Sequence, residues 1–159
     1  GELNNTVICL YGDHYPYGLT ERAIEELDGN ESVQGTADLY RNTMILWSGD
    51  MDEPVVIDKP CSNLDILPTL SHLFGLEFDS RLMMGRDILS EDPGLVMFSD
   101  SSFITALGEY NAKEDQFTPV DGVKVPDEYP LEMLKSVQDK FLYSGKILLT
   151  NYYDILGLS

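Results

Sequence analysis

The sequence is poor in basic residues, cysteine, histidine and long apolar runs. Its 159 residues include 10 Lys and Arg against 28 Asp and Glu, which gives a formal net charge of −18. This charge argues against binding of nucleic acid or of an anionic membrane by the segment. Only two cysteines are present, Cys9 and Cys61, and both are predicted to be free thiols, because two cysteines do not make a disulfide framework. No apolar run reaches the length of about 18 residues that a membrane span needs, so none is expected in this segment.

Several motifs of catalytic and nucleotide sites are also missing. There is no Walker A loop, no G-x-G-x-x-G and no G-x-S-x-G. Of the two histidines, His72 falls in a helical apolar pattern and is interpreted as a packed or partly exposed helix residue. Asp65, near the start of the same pattern, is interpreted as a helix cap. We therefore predict no catalytic residue and no cofactor-binding residue in this chain.

The first half alternates strand and helix patterns. Apolar runs at 6–11 and 43–47 are typical of strands covered on both faces, as in a mostly parallel sheet, and 55–57 is a third, shorter candidate. Helices are predicted over 20–27, capped by Thr20 and ended by Gly29, and over 65–74, with Pro68 near the first turn and Gly75 as the stop. This pattern indicates an α/β fold.

The second half has a different pattern. Apolar segments at 95–98 and 103–107 predict a hairpin, and 116–125 predicts a further antiparallel turn centred on Asp121 and Gly122. A terminal helix is expected from Asp127, with Pro130 in its first turn. Its apolar seam comprises Leu131, Leu134, Gln138, Phe141, Gly145, Leu148 and Tyr152. We expect residues 1–90 to form the α/β core and 91–159 to pack on the same domain as antiparallel strands and a helix.

Asp13 and His14 are the best candidates for chemistry, because they directly follow the first predicted strand. Ligands of open α/β sheets bind beyond the carboxyl ends of the strands. Neighbouring side chains of a regular strand point to opposite faces, so the two can converge on one ion only at a bend, which Gly12 permits. A carboxylate and an imidazole suit manganese, iron or zinc better than calcium. A capping or surface hydrogen-bonding pair is the alternative interpretation.

Three blocks in order resemble the soluble domain of lipoteichoic acid synthases and related phosphoglycerol transferases, within the sulfatase branch of the alkaline-phosphatase superfamily. The first is N-T-V-I at 5–8 followed by Y-G-D-H-Y at 11–15. The second is R-N-T-M-I-L-W-S-G at 41–49, which departs from the family's proline-containing end at Trp47 and Ser48. The third joins N-L-D-I-L-P-T-L at 63–70 and L-F-G-L at 73–76 to M-G-R-D-I-L at 84–89.

The resemblance implies a partial sulfatase-like sheet with flanking helices, in which Asp13 and His14 are metal ligands. In such enzymes a metal-bound threonine, or a modified cysteine or serine in true sulfatases, attacks a phosphate or sulfate ester. The family's nucleophile, an early acidic ligand and a substrate-binding histidine precede this strand. The resemblance therefore implies a fragment that is inactive alone and that binds manganese or magnesium firmly only within its parent.

The function expected of the parent is transfer of glycerol phosphate from a phosphatidylglycerol-type lipid, at the outer face of a bacterial membrane, with upstream helices as the anchor. Sulfatase or other phosphodiester chemistry is the alternative within this class. A noncatalytic extracellular binding module is the alternative from another class. Because neighbouring strands of the parent would be missing, an exposed sheet edge and self-association through it are also expected.

Overall fold

The structure, a computed structural model, describes residues 2–14, 18–27 and 40–157. It divides into two compact units, Gly1–Val55 and Val56–Ser159, called here the first and second units. The predicted helix stop at Gly29 and the motif residue Tyr15 lie outside the described residues.

The first unit contains a two-stranded antiparallel sheet. A 3₁₀ helix, Glu2–Asn5, precedes strand β1 (Val7–Leu10), and helix α1 (Glu21–Leu27) and strand β2 (Ile45–Ser48) follow. Both predicted strands are confirmed, with Val7 opposite Ser48 and Leu10 opposite Ile45. The helix prediction is confirmed as well, because the Thr20 hydroxyl oxygen accepts a hydrogen bond from the Ala23 amide at 3.3 Å.

The α/β class is confirmed, but the parallel arrangement is not. Every strand pair of the described residues is antiparallel. The physical reason is that a continuous apolar run indicates burial of both faces and does not fix strand direction. The prediction of a third strand at 55–57 is wrong, because this segment pairs with no strand in the described part of the chain. The three residues after Pro54 are largely exposed. So short a segment could form few inter-strand hydrogen bonds and bury little surface, which is too little to stabilise a strand.

The second unit begins with the predicted helix. A 3₁₀ turn, Asn63–Asp65, leads into helix α2 (Ile66–Leu73), and a further 3₁₀ turn spans Ser80–Leu82. Pro68 lies in the first turn of α2, where its missing amide hydrogen costs little. Gly75 follows the helix with φ of +61°, the left-handed conformation expected of a helix stop.

A four-stranded antiparallel meander follows, in the order β3 (Val96–Met97), β4 (Phe103–Thr105), β5 (Gly108–Asn111) and β6 (Gln116–Pro119). The predicted hairpin is confirmed, because β3 pairs with β4. The predicted position of the next hairpin turn is wrong. Strand β6 pairs with β5, so their hairpin turns over 112–115, where Asp115 has φ of +51°. Asp121 and Gly122 do form a turn, but it leads out of β6 and does not join paired strands.

Helix α3 (Tyr129–Leu149) covers this sheet, and a short helix, α4 (Tyr152–Ile155), follows it. Glu128 occupies the N-cap position where Asp127 was predicted. The predicted seam does not continue into Tyr152, because Asn151 adopts the left-handed conformation and separates the two helices. The core consists of Leu95, Phe103, Tyr110 and Val137, with Met97, Ala112, Phe117, Met133, Leu134 and Phe141 packed around it. Among the described residues no helix is long and apolar enough to cross a bilayer.

Candidate metal site

Asp13 and His14 lie at a bend immediately after β1, as the metal-site prediction requires. The Asp13 Oδ1 atom is 3.4 Å from the His14 Nε2 atom, and both side chains are exposed. The two side chains therefore converge although they are adjacent in sequence. That convergence is a condition for binding one ion and leaves the metal role itself a prediction.

Gly12, which precedes the bend, packs closely against Asn42. A Cβ atom at position 12 would lie 1.6 Å from the Asn42 Nδ2 atom, so any other residue there would displace the asparagine side chain. Asn42 is itself held, because its Oδ1 atom accepts a hydrogen bond from the Thr43 amide at 2.7 Å. The residue just before the 43–47 strand pattern thus supports the loop after β1. Sequence reasoning missed this role of Asn42, and the only signal for it was a polar residue at the strand's start.

The donor chemistry of the pair fits a divalent cation. Ligand bonds of about 2.1 Å place neighbouring donors roughly 3.0 Å apart in octahedral and roughly 3.4 Å apart in tetrahedral coordination. The observed 3.4 Å between Asp13 Oδ1 and His14 Nε2 falls at this spacing. Two donors do not complete a coordination sphere, and the described residues contain no group of three or more His, Cys, Asp or Glu that could hold a metal. Further donors would have to come from water or from other parts of a longer protein.

His72 and Asp65 have partners of their own in the second unit. The His72 Nδ1 atom is 2.5 Å from the Asp87 Oδ2 atom, and the other Asp87 oxygen accepts the Leu89 amide at 2.9 Å. His72 is 67% exposed, which agrees with its interpretation as a partly exposed helix residue. Asp65 is buried, and its carboxylate accepts hydrogen bonds from the amides of Ser62 and Arg86, each at 2.7 Å. Asp65 occupies the predicted N-cap position of α2, but its side chain makes no cap hydrogen bond to that helix and instead closes the capping box of the preceding 3₁₀ turn. The bond from Arg86 adds a tertiary role.

Hydrogen bonds of Asp65 and Thr69 join helix α2 to the motif segment at 84–89. The fully buried Thr69 hydroxyl donates to the Asp65 carbonyl at 2.6 Å and accepts from the Ile88 amide at 3.0 Å. A Cβ atom at Gly85 would lie 1.9 Å from the Leu64 carbonyl oxygen, so only glycine allows this approach. The two parts of the third sequence block are therefore held together by hydrogen bonds. Here the motif residues have structural roles.

Four charged side chains form a cluster beside these hydrogen bonds. Arg86 pairs with Asp92, Lys59 donates to the carbonyls of Ser90 and Asp92, and Lys140 on α3 donates to the Met84 carbonyl at 3.0 Å. Burial, reinforced by Arg86, lowers the pKa of Lys140. Burial raises the pKa of Asp92, but hydrogen bonds from Arg86 and from the Gly94 amide outweigh it and leave the pKa lowered. These charges have partners inside the unit, so we interpret the cluster as structural.

Cys61 lies beside the cluster, and both cysteines are free thiols as predicted. Burial raises the pKa of the Cys61 thiol, and the nearby Asp65 carboxylate raises it further. A raised pKa disfavours the reactive thiolate. Cys61 is therefore poorly suited to act as a nucleophile.

Comparison with known proteins shows what the chain is similar to. Residues 1–76 match the sulfatase family model. The lipoteichoic acid synthase of Staphylococcus saprophyticus is 33% identical over 110 residues, which cover 66% of this chain and 17% of that protein. The steryl-sulfatase of Rattus norvegicus is 30% identical over 119 residues, which cover 65% of this chain and 20% of that protein. The crystal structure of the lipoteichoic acid synthase LtaP from Listeria monocytogenes matches 91% of this chain and 38% of its own, with a TM-score of 0.72 and 25% identity.

The N-terminal part of the chain, residues 1–76, is accordingly similar to the sulfatase family. Within that family the chain is similar to the lipoteichoic acid synthases in both sequence and fold. It spans about a fifth or less of the length of these curated relatives. The matched segment contains Gly12, Asp13 and His14.

Proposed function

We propose that this chain is the C-terminal part of a metal-dependent phosphoglycerol transferase of the lipoteichoic acid synthase type. In this proposal Asp13 and His14 are two of the metal ligands, and the nucleophile belongs to an upstream segment of the parent. The observation that carries the proposal is the convergence of Asp13 Oδ1 and His14 Nε2 to 3.4 Å within the stretch that matches the sulfatase family. The similarity to lipoteichoic acid synthases supports the choice of substrate class.

In this proposal the chain contributes two ligands of the catalytic metal ion. Manganese or magnesium would act as a Lewis acid and activate the nucleophile. The Asp13 carboxylate would supply negative charge and His14 a neutral nitrogen donor, at the 3.4 Å spacing that the two donor atoms have in the structure. The substrate would be the glycerol phosphate head group of a phosphatidylglycerol-type lipid.

The resemblance to the family also supports a proposal for the domain organisation and location of the parent protein. Residues 1–90 would complete the sulfatase-like core of the parent, and residues 91–159 would pack on it. The parent would act at the outer face of a bacterial membrane, anchored by helices upstream. Self-association through the edge of the β1–β2 sheet would compete with packing of the missing strands.

Sulfatase or related phosphodiester hydrolysis is the second candidate. The similarity to steryl-sulfatase, at 30% identity over 119 residues, favours keeping it. The two chemistries would differ in the upstream sequence, since a threonine nucleophile indicates the transferase and a C-x-P-x-R motif indicates the sulfatase. Both would use Asp13 and His14 in the same way.

The test uses the full-length protein that contains this chain, with Asp13→Ala and His14→Ala variants. Each variant should lose at least about 100-fold in glycerol phosphate transfer from labelled phosphatidylglycerol, because even loss of an outer-shell partner costs roughly 10- to 100-fold. Bound manganese, measured on the same samples, should fall with activity. Asp52→Ala is the matched control, since it removes an exposed carboxylate from the same unit.

A parallel assay with an aryl sulfate ester separates the two candidates. Turnover of the sulfate ester with no transfer from the lipid would favour the sulfatase. Near-normal turnover with unchanged manganese content in both ligand variants would show that Asp13 and His14 are a surface pair, and the proposed site would be wrong.

A further inference from the structure

The second unit has a cleft that is separate from the candidate metal site and from the charged cluster. It has a volume of about 200 Å³ and lies between the β5–β6 hairpin and the first turns of α3. Tyr110, Phe117 and Leu134 line its apolar part. Asp115 on the hairpin and Asp127 just before α3 contribute two exposed carboxylates. Because a water molecule occupies about 30 Å³ in the liquid, the cleft is large enough for a small organic group.

The aromatic lining is held in place by the core beneath it. Tyr110 stacks on Phe103 with ring centroids 5.2 Å apart, and Phe117 meets Tyr129 edge-on at 5.9 Å. The Tyr110 hydroxyl donates to Asp115 Oδ1 at 2.8 Å, which fixes that carboxylate beside the rings. The cleft therefore exists before any ligand binds, and binding would require little reorganisation.

The charge of the cleft selects the sign of a ligand. Its lining includes Asp115 and Asp127 and no Lys, Arg or His. The positive end of the α3 dipole, equivalent to about half a charge, opposes the two carboxylates but does not cancel them. The chain's formal charge of −18 adds a field that attracts cations and repels anions. An anionic phosphate group is therefore a poor ligand for this cleft.

We propose that this cleft binds an organic cation with an apolar stem, of the kind that an arginine or lysine side chain of a partner segment carries. The cationic head would lie between Asp115 and Asp127 and near the Tyr110 and Phe117 rings, whose π-systems attract cations. The methylene stem would pack on Leu131 and Leu134, as long basic side chains do on apolar surfaces. Leu131, at 73% exposed, gains most from being covered.

The probe is N-acetyl-arginine amide, with N-acetyl-citrulline amide as its uncharged counterpart, titrated into the 159-residue chain. Ring resonances of Tyr110 and Phe117, followed by NMR, should shift saturably with the arginine probe. A weak dissociation constant, on the order of 10 mM, is expected from two exposed ion contacts and one cation–π contact. The citrulline probe should bind at least about fivefold more weakly, because it lacks the charge.

Two variants and a control localise the binding. Asp127→Asn and Leu131→Ala each change an exposed side chain of the cleft and should weaken binding about threefold or more. Asp121→Asn removes the same charge from an exposed turn outside the cleft and should leave binding unchanged. Equal weakening by Asp121→Asn would show diffuse attraction only. Equal affinity for citrulline, or shifts confined to other residues, would also overturn the proposal.

Discussion

The two units differ in how they use their apolar residues. In the second unit Leu95, Phe103, Tyr110 and Val137 are buried in one core beneath α3. In the first unit the large apolar side chains of the described strands stay partly or largely exposed, including Leu10 at 57% and Ile45 at 54%. A two-stranded sheet is marginal by itself. The first unit is therefore expected to depend on further protein, whereas the second carries its own core.

The units differ in the same way in what their motifs do. Asp65, Thr69 and Gly85 hold one segment of the second unit against another. Asp13 and His14 in the first unit converge at an exposed bend. The comparison teaches that a motif shared with a family can have either role, and that burial and hydrogen-bond partners tell them apart.

The strongest test of this comparison truncates one apolar side chain in each unit. Phe103→Ala removes a fully buried ring from the second unit and should lower the free energy of unfolding by about 3–5 kcal/mol. Leu10→Ala removes a half-exposed side chain from the first unit and should cost about 1 kcal/mol or less. Urea unfolding followed by circular dichroism measures both. Equal losses would mean that the first unit is packed as well as the second.

A second test concerns the hydrogen bonds between α2 and the motif segment at 84–89. Thr69→Val keeps the shape of the side chain but removes the hydroxyl that bonds to Asp65 and Ile88, leaving the Ile88 amide without that acceptor. A loss of about 1–3 kcal/mol is expected from a buried unsatisfied group. Thr150→Val, which removes an exposed hydroxyl bonded to the Lys146 carbonyl, should change stability by about 0.5 kcal/mol or less. If Thr69→Val left the free energy of unfolding unchanged, these hydrogen bonds would not stabilise the unit.

Local patterns predicted the elements of both units well. The apolar runs ending at glycine marked β1 and β2, and Thr20, Pro68 and Gly75 marked helix ends correctly, because each acts through its own backbone chemistry. Strand direction and register could not be predicted this way. They depend on which strands meet, and the Asp121–Gly122 signal competed with Asp115, whose left-handed conformation formed the real hairpin turn.

For the candidate site, the sequence predicted the convergent pair but not its support. Asp13 and His14 were identifiable because they follow a strand and match a family block. Asn42 was not, since its contact with Gly12 joins residues about thirty positions apart. The Thr69–Ile88 bond was missed for the same reason. Long-range polar contacts leave little trace in one sequence.

A third test uses acid to probe the charged cluster of the second unit. The lowered pKa of Asp92 means that its contribution to stability is present above the group's ordinary pKa of 3.8 and is lost as pH falls through the lower pKa of the folded state. Asp92→Asn should therefore cost about 1 kcal/mol at pH 7, after allowance for partial exposure, and progressively less as pH falls below 3.8. Asp121→Asn makes the same charge change in an exposed turn and should show little difference at neutral or acid pH. An Asp92→Asn effect that persists in acid would assign the loss to packing.

The smallest expected effect is metal binding by the isolated chain. Asp13 and His14 supply two donors, and the described residues offer no group of three or more. Water would fill the remaining positions, so the affinity of a closed site should not be reached, and no turnover of a phosphodiester or a sulfate ester is expected. The measurement is manganese titration by calorimetry at about 0.15 M salt, where diffuse attraction to a charge of −18 is screened. Stoichiometric micromolar binding that is lost in His14→Ala would contradict this expectation. It would show that the chain itself completes a metal site, and His72→Ala and Asp65→Ala would be the first variants to test for the further donors.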